Sequence, residues 1–317
     1  MSSASSSSSS GTPAFLAMDF NGDRVGDFAI HDRTTGLLVP FHGGAATPDC
    51  PLIPGISVVA PTGPGTLIGT GVVDLDGNRV SDFAVAYRNQ GTISFRTVSA
   101  SGVGDPVDLP DTSGEAIPAW ADLDGDGAWN AAVFDSGIWR WVASGPVMAI
   151  QFGLASDFPV AGRYLANVAE ARVAVVRKVP VDGGVPALEW YASDGGMGLT
   201  VVAYFGLADD QVLPADYDGD GVTDVAVYRP ESRELYIRTG DTSFDVRQLP
   251  AGPHEVFPCH TGQGLLMTVC ELTSPQQGNW TLHIYGTTEM VCDLGLPSTD
   301  DVWPLYPNNG AVDARYR

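Results

Sequence analysis

Residues 216–228 read Asp-Tyr-Asp-Gly-Asp-Gly-Val-Thr-Asp-Val-Ala-Val-Tyr, an acidic turn that runs directly into an apolar stretch. The acidic part has Asp or Asn at positions one, three, five and nine and Gly at position four. The same nine-residue pattern begins at Asp19, Asp74 and Asp122. A single cluster of this kind is typical of a turn, but four copies with matching offsets indicate one repeated function.

The spacing of these copies indicates a repeat of roughly 50 residues. Their first aspartates lie 55, 48 and 94 residues apart, and 94 is twice 47. A copy without acids is therefore expected midway, where residues 172–177 match residues 224–229 except at the ligand position and one neighbour. A second worn copy lies near residues 258–263, and an incomplete seventh unit begins at Val302.

Each unit contains about four short apolar or aromatic segments, with the acidic loop between the first and the second. Examples of the four segments are Ile117–Trp120, Phe83–Tyr87, Leu188–Tyr191 and Val246–Leu249. Four strands in roughly 45 residues are typical of a propeller blade, since a solenoid coil is usually shorter. The sequence therefore predicts an all-β fold: a β-propeller of four-stranded antiparallel blades, with six full repeats and a partial seventh, hence six or seven blades.

The loops have the chemistry of a calcium site. Positions one, three and five point side-chain oxygens to one centre, position seven offers a backbone carbonyl, and position nine closes the shell. Calcium takes six to eight such oxygens, whereas magnesium prefers fewer protein ligands. We predict about four calcium ions with these ligands: Asp19, Asn21, Asp23, Val25, Asp27, Asp74, Asp76, Asn78, Val80, Asp82, Asp122, Asp124, Asp126, Ala128, Asn130, Asp216, Asp218, Asp220, Val222 and Asp224.

The loops are not EF-hands. An EF-hand needs Glu at position twelve and a helix on each side. Position twelve is Ile30, Val85, Val133 or Val227, each inside an apolar run that predicts a strand. Gly at position four is expected to let the backbone bend where a Cβ would clash.

Residues 215–230, Ala-Asp-Tyr-Asp-Gly-Asp-Gly-Val-Thr-Asp-Val-Ala-Val-Tyr-Arg-Pro, resemble the FG-GAP or VCBS repeat of integrin-type calcium-binding propellers. The resemblance extends over residues 13–317 and is clearest in the four units that keep their acids. It implies six or seven blades, calcium between the first and second strands of a blade, and roles in adhesion or recognition. Units four, six and seven depart from the pattern, so no calcium is expected there.

The composition limits the partners. The chain has a net charge of −22, which repels nucleic acid and anionic membranes. Thirteen of its 38 acids lie in the four loops, so cation binding accounts for part of this charge. The sequence has no apolar run of 18 residues, so no membrane span is expected.

The ends and the cysteines bear on localisation. Residues 1–12 form a Ser-rich tail or linker, and residues 13–317 are expected to form a single propeller domain. The four cysteines contain no CxxC pair, which argues against a zinc site. Cys259 with Cys270, and Cys50 with Cys292, could form disulfides, with free buried thiols as the alternative. We expect an extracellular or cell-surface protein.

The sequence favours a binding protein over an enzyme. The five histidines show no metal spacing, and no GxSxG, P-loop or HExxH motif is present. The first hypothesis is an adhesive or structural surface protein that binds copies of itself, as in a filament, through the N-terminal tail or the partial seventh blade. The alternatives are a lectin that binds glycans, with Trp129 as the best exposed aromatic residue, and an integrin-like protein-recognition module. Aromatic residues of the third strands are interpreted mainly as packing between blades.

Overall fold

The computed structural model of the chain describes residues 18–44, 52–99, 102–143, 145–166, 168, 170–196, 198–240, 243–249, 255–259, 268–273, 278–285, 289–297 and 302–305. Every element in these ranges is a β-strand, and the 26 strands form six antiparallel sheets. Within the same ranges, no helix is long and apolar enough to cross a membrane. The predicted all-β propeller is confirmed, with six blades.

The strands follow one another around the ring in chain order. The first half of the chain contains β1 (Phe28–Asp32), β2 (Leu37–Gly43), β3 (Leu52–Pro54), β4 (Val58–Val59), β5 (Thr66–Val73), β6 (Asp82–Asn89), β7 (Thr92–Ser99), β8 (Gly102–Val103), β9 (Val107–Pro110), β10 (Ile117–Ala121), β11 (Asn130–Asp135), β12 (Ile138–Val142) and β13 (Val147–Gln151). The second half contains β14 (Phe158–Pro159), β15 (Ala174–Val179), β16 (Ala187–Ser193), β17 (Leu199–Leu207), β18 (Gln211–Val212), β19 (Val225–Arg229), β20 (Glu234–Thr239), β21 (Ser243–Gln248), β22 (Glu255–Cys259), β23 (Thr268–Thr273), β24 (Asn279–Tyr285), β25 (Glu289–Pro297) and β26 (Val302–Leu305).

Blades three to six are simple meanders, β10–β13, β14–β17, β18–β21 and β22–β25. Blade two is the sheet β5-β6-β7-β8, with β9 also paired to β7. Within a blade, burial falls from the second strand to the fourth. In blade three, β11 is buried at every position, whereas β13 is exposed at almost every one. Because first strands such as β5 and β10 also contact each other, they lie toward the centre of the ring and the fourth strands lie at its rim.

Apolar cores lie between consecutive blades. One cluster joins blades three and four and contains the fully buried Trp139, and the next joins blades four and five and contains Trp190. A continuous apolar strand such as β11 is the expected consequence, since it faces a core on both sides. The interpretation of third-strand aromatic residues as packing between blades is therefore confirmed for these two tryptophans.

The ring is closed by the last described strand. β26 pairs with β1, and Ala29 lies opposite Leu305. In blade three the equivalent residue, two positions after the loop, is Ala132, and it lies opposite Ala119 of the first strand β10. The seventh unit therefore supplies the first strand of blade one from the same chain, and no seventh sheet occurs among the described residues.

Disulfide bonds constrain the sixth blade. Cys259 on β22 and Cys270 on β23 are bonded to each other, so this predicted pair exists and the free-thiol alternative does not hold for it. Cys292 is also disulfide-bonded. Its predicted partner, Cys50, lies outside the described residues.

Closure by β26 gives a stability prediction. Leu305 is 1% exposed and belongs to the core that joins blade six to blade one, so Leu305→Ala should lower the free energy of unfolding by about 2–5 kcal/mol. The matched control is Val291→Ala, since Val291 is 46% exposed on β25; it should change stability by no more than about 0.5 kcal/mol. Urea denaturation measures both. An equal effect of the two substitutions would contradict closure by this strand.

Candidate functional site

The acidic loops share one hydrogen-bond scheme. We name them by blade: loop one (residues 19–27), loop two (74–82), loop three (122–130) and loop five (216–224). In loops one, three and five the carboxylate at position one accepts the backbone N–H groups of positions four and six, and in loop two Asp74 accepts that of position six. In loop five, Asp216 accepts from Gly219 at 2.7 Å and from Gly221 at 2.8 Å. This side chain therefore fixes the curvature of its own loop.

The side chain at position nine closes the other end of each loop. It accepts the N–H of position two, at 2.7 Å from Tyr217 to Asp224 and at 2.7 Å from Leu123 to Asn130. An Asn serves as well as an Asp because the bond needs only an acceptor oxygen. The residues at positions one and nine, which are the predicted ends of each loop, therefore fix its conformation through hydrogen bonds.

Two positions in each loop have a left-handed backbone. The glycine at position four has φ between 72° and 78° in all four loops. Position six is also left-handed, at Arg24 (φ 64°), Arg79 (φ 68°), Gly127 (φ 90°) and Gly221 (φ 81°). The sequence pattern predicts a bend at position four but does not predict one at position six. The glycines at position six of loops three and five were the signal, since only glycine adopts this conformation without strain.

Three of the predicted ligand sets come together. In loops two, three and five, three carboxylates place one oxygen each within 4.8 Å of one another: Asp74, Asp76, Asp82; Asp122, Asp124, Asp126; and Asp216, Asp218, Asp224. These clusters could hold metal ions. Asn78, Asn130 and Asp220 complete the same loops. Whether the carbonyls of Val25, Val80, Ala128 and Val222 are ligands stays a prediction.

Loop one is arranged differently. Its Asp27 is fully buried and accepts from Phe20 N at 2.7 Å, from Gly43 N at 2.8 Å and lies 3.1 Å from Nδ1 of His42. All three triads include a carboxylate at position three, where loop one has Asn21, so the carboxylates of loop one are not grouped in the same way. A cation at Asp19, Asn21 and Asp23 stays a prediction.

The electrostatics of the clusters favour a bound cation. Burial, helped by repulsion from the other loop carboxylates, raises the pKa of Asp82 and of Asp224 to about 7. Burial likewise raises the pKa of Asp74, whose Oδ1 is buried without a hydrogen-bond partner. A divalent cation would supply the missing partner of this oxygen and offset the repulsion between carboxylates. The residues of loop two therefore fit a metal ion.

Consecutive loops are joined by backbone hydrogen bonds. The carbonyl of position one accepts the N–H of position eight in the next loop, at 2.6 Å from Ser81 to Asp19 and at 2.6 Å from Trp129 to Asp74. The same bond runs from Ala171 to Asp122 at 2.8 Å. Each first aspartate therefore belongs to two blades: its side chain closes one loop, and its carbonyl holds the next.

The worn copy in blade four carries positive side chains instead of acids. Arg163 replaces the first aspartate and Arg172 the last. The absence of calcium from this loop stays a prediction. The inter-loop bond remains, from Thr223 N to Arg163 O at 2.8 Å. Nε of Arg163 donates to Val168 O at 2.6 Å, so this guanidinium is held within its own loop. Residues 260–267 and 306–317, which contain most of the other worn copies, lie outside the described part of the chain.

The most exposed aromatic side chains lie on the fourth strands of their blades. Trp129, the predicted sugar platform, is only partly exposed and packs against the core between blades two and three. The most exposed aromatic residues in the described ranges are Tyr204 on β17, at 69%, and Phe244 on β21, at 58%. The sequence alone does not identify these two residues, because an alternating strand does not show which face lies at the rim.

Comparisons with known proteins support the fold. No family model and no curated protein matches the chain. A triple arginine-to-alanine variant of AofleA from Arthrobotrys oligospora aligns with a TM-score of 0.51 and 11% identity, over 93% of this chain and 92% of that one. BBS1N in complex with ARL6DN gives a TM-score of 0.46 and 14% identity, over 96% and 92%. The AofleA likeness shows the propeller fold alone, and the resemblance to FG-GAP or VCBS repeats stays a prediction.

Packing between loops gives a second prediction. Gly125 has φ 78°, and a Cβ there would lie 3.2 Å from Cβ of Glu170 on the next blade. Gly125→Ala should therefore lower the free energy of unfolding by about 1–2 kcal/mol. Gly196→Ala is the control, because Gly196 is exposed, has no left-handed φ and meets only Asp194 Oδ1 at 3.4 Å. Chemical denaturation that finds no difference between the two variants would contradict this account of the loop.

Proposed function

We propose that the protein is a non-enzymatic, extracellular β-propeller that binds glycans on a scaffold stiffened by calcium. Exposed aromatic side chains carry the glycan part: Tyr204 and Phe244 lie at the rim of blades four and five beside charged side chains. Phe244 contacts Phe205, and contiguous exposed apolar surface on a folded domain is typical of a ligand-binding site. The flat apolar face of a sugar ring is one such ligand.

The acidic loops support the calcium part of the proposal. Three clusters of three carboxylates, one with a buried carboxylate oxygen lacking a partner, match the hard oxygen ligands that calcium takes. We place calcium in loops two, three and five, and a fourth ion in loop one. Because each loop is bonded to its neighbour, a bound ion stiffens the contact between two blades and holds the rim in place.

Disulfides support an extracellular location. The Cys259–Cys270 bond and the bonded Cys292 are typical of proteins in an oxidising compartment. Self-assembly through an incomplete seventh blade is not supported, since β26 pairs with β1 of the same chain. Assembly through the Ser-rich tail involves residues outside the described part of the chain.

Calcium binding is tested by removing one ligand. A calcium concentration of about a hundred times the dissociation constant should stabilise the protein by about 2.7 kcal/mol for each occupied site. Asp218→Ala should reduce the number of calcium ions bound in isothermal titration calorimetry by one, because it removes a carboxylate from the loop-five cluster. Asp182→Ala, in an exposed turn, is the control and should leave that number unchanged. Equal stoichiometry in the two variants would contradict the site in loop five.

Glycan binding is tested with an array of neutral and sialylated oligosaccharides. We expect binding to neutral glycans in the presence of calcium, and weaker binding after chelation because the loops then loosen. Anionic glycans should bind less well, since the chain carries a net charge of −22. Absence of binding to every oligosaccharide, with and without chelator, would overturn the glycan proposal.

A further inference from the structure

Blade four contains a compact group of charged and aromatic side chains at the end of β15 that lies away from the acidic loops. We call it cluster four; its members are Asp157, Arg177, Glu189, Tyr191 and Tyr204. Arg177 donates from Nε and Nη2 to the two oxygens of Asp157, at 2.8 and 2.7 Å. Asp157 has a fully buried side chain, whereas the side chain of Arg177 is 30% exposed. A buried carboxylate thus fixes the plane of a guanidinium that still reaches solvent.

Blade five repeats the arrangement as cluster five, formed by Asp210, Arg229, Glu234, Tyr236 and Phe244. Nε and Nη2 of Arg229 each lie 2.9 Å from an oxygen of Asp210. Asp210 has a side chain only 3% exposed, and Arg229 one that is 25% exposed. The geometry of the guanidinium is therefore the same in both blades, although the chain between strands two and three differs in length.

In both clusters the guanidinium lies over a tyrosine ring, and the tyrosine is tied to a glutamate. The Cζ atom is 5.0 Å from the ring centre of Tyr191 in cluster four and 4.5 Å from that of Tyr236 in cluster five. Tyr236 donates to Oε2 of Glu234 at 2.6 Å, and Tyr191 donates to Oε2 of Glu189. Each cluster therefore presents one fixed cation and one fixed anion side by side.

An exposed aromatic ring lies next to each of these charge pairs. Tyr204 lies opposite Glu189 in the register of β16 and β17. Phe244 has its ring centre 6.0 Å from that of Tyr236 and 5.8 Å from that of Phe205 on the outer strand of blade four. An exposed aromatic ring thus accompanies the charge pair in two consecutive blades, but at different register positions: Phe244 lies opposite Arg238 and contacts cluster five through Tyr236.

The ion pair alone does not explain the clusters. Blade two also has an arginine bonded to a buried aspartate, Arg88 to Asp111 at 2.8 Å, but its third strand β7 contains no tyrosine. In blade three, Asp135 stands at the end of the second strand, where blades four and five have the arginine. The arginine–aspartate pair therefore occurs in several blades as part of the fold. Among the described residues, a tyrosine and a glutamate accompany it only in blades four and five.

We propose that cluster four and cluster five are two related saccharide-binding sites for a neutral pyranose with two adjacent hydroxyl groups. The sugar stacks its apolar face on Tyr204 or Phe244, and its hydroxyls bond to the guanidinium and the glutamate. Neutral sugars fit best, because the net charge of −22 repels an anionic glycan. This inference rests on the proposed glycan-binding function and names the sites that perform it.

The test compares variants on an array of neutral oligosaccharides and their sialylated counterparts. Glu189→Gln with Glu234→Gln removes both anions at constant size, and Tyr204→Ser with Phe244→Ser removes both stacking surfaces. Each double variant should lose at least tenfold in binding to the neutral glycans. The matched controls are Glu115→Gln and Val147→Ser, exposed residues of blade three, which should bind like the unmodified protein. Thermal melting of every variant shows that the fold is retained.

The outcomes separate the two proposals. Loss of binding in both double variants, with the controls unchanged, supports the two sites. Binding by the unmodified protein that survives in both double variants overturns these sites and leaves the glycan function standing. If only the glutamate double variant loses binding, the stacking role of Tyr204 and Phe244 is overturned. If only the aromatic double variant loses binding, the charge role of Glu189 and Glu234 is overturned. An unmodified protein that binds no glycan overturns the function and the sites together.

Discussion

The hydrogen bond between the carbonyl at position one of a loop and the N–H at position eight of the next is the contact on which the ring depends. It runs from loop two to loop one, from loop three to loop two, and onward through blades four and five. Where the acids are lost, as at Arg163, the bond remains. A backbone bond thus sets the spacing of the blades, and the aspartate side chain adds the capacity to hold a cation at the same point.

The carboxylate clusters that would stiffen the protein therefore lie apart from the clusters proposed to bind its ligand. The carboxylate clusters lie between the first and second strands, at one end of the blades, where burial raises the pKa of Asp74, Asp122 and Asp216. The clusters built on Arg177 and Arg229 lie at the far end of the second strand. Closure of the ring by β26 fixes both ends at once. Cations in the loops would therefore affect ligand binding through the scaffold rather than by direct contact.

Much of the fold followed from the sequence, because the loop pattern recurs at a nearly fixed spacing and each copy begins a blade. The worn copy in blade four and the strand at Val302 could be placed in the same way. The clusters of blades four and five could not be predicted from the sequence. The hairpin between Arg177 and Glu189 differs in length from the hairpin between Arg229 and Glu234. Residues paired across a hairpin have no constant spacing in the sequence, and the exposure of Tyr204 and Phe244 depends on which strand lies at the rim.

The most direct measurement of the central claim is X-ray diffraction from crystals grown with calcium, using the anomalous signal of the ion. The account predicts one anomalous peak inside each of the loops that contain Asp74, Asp122 and Asp216, within bonding distance of the grouped carboxylates. Crystals soaked with a chelator should lose these peaks. Loops that keep their structure in calcium but show no peak at any of the three clusters would contradict it.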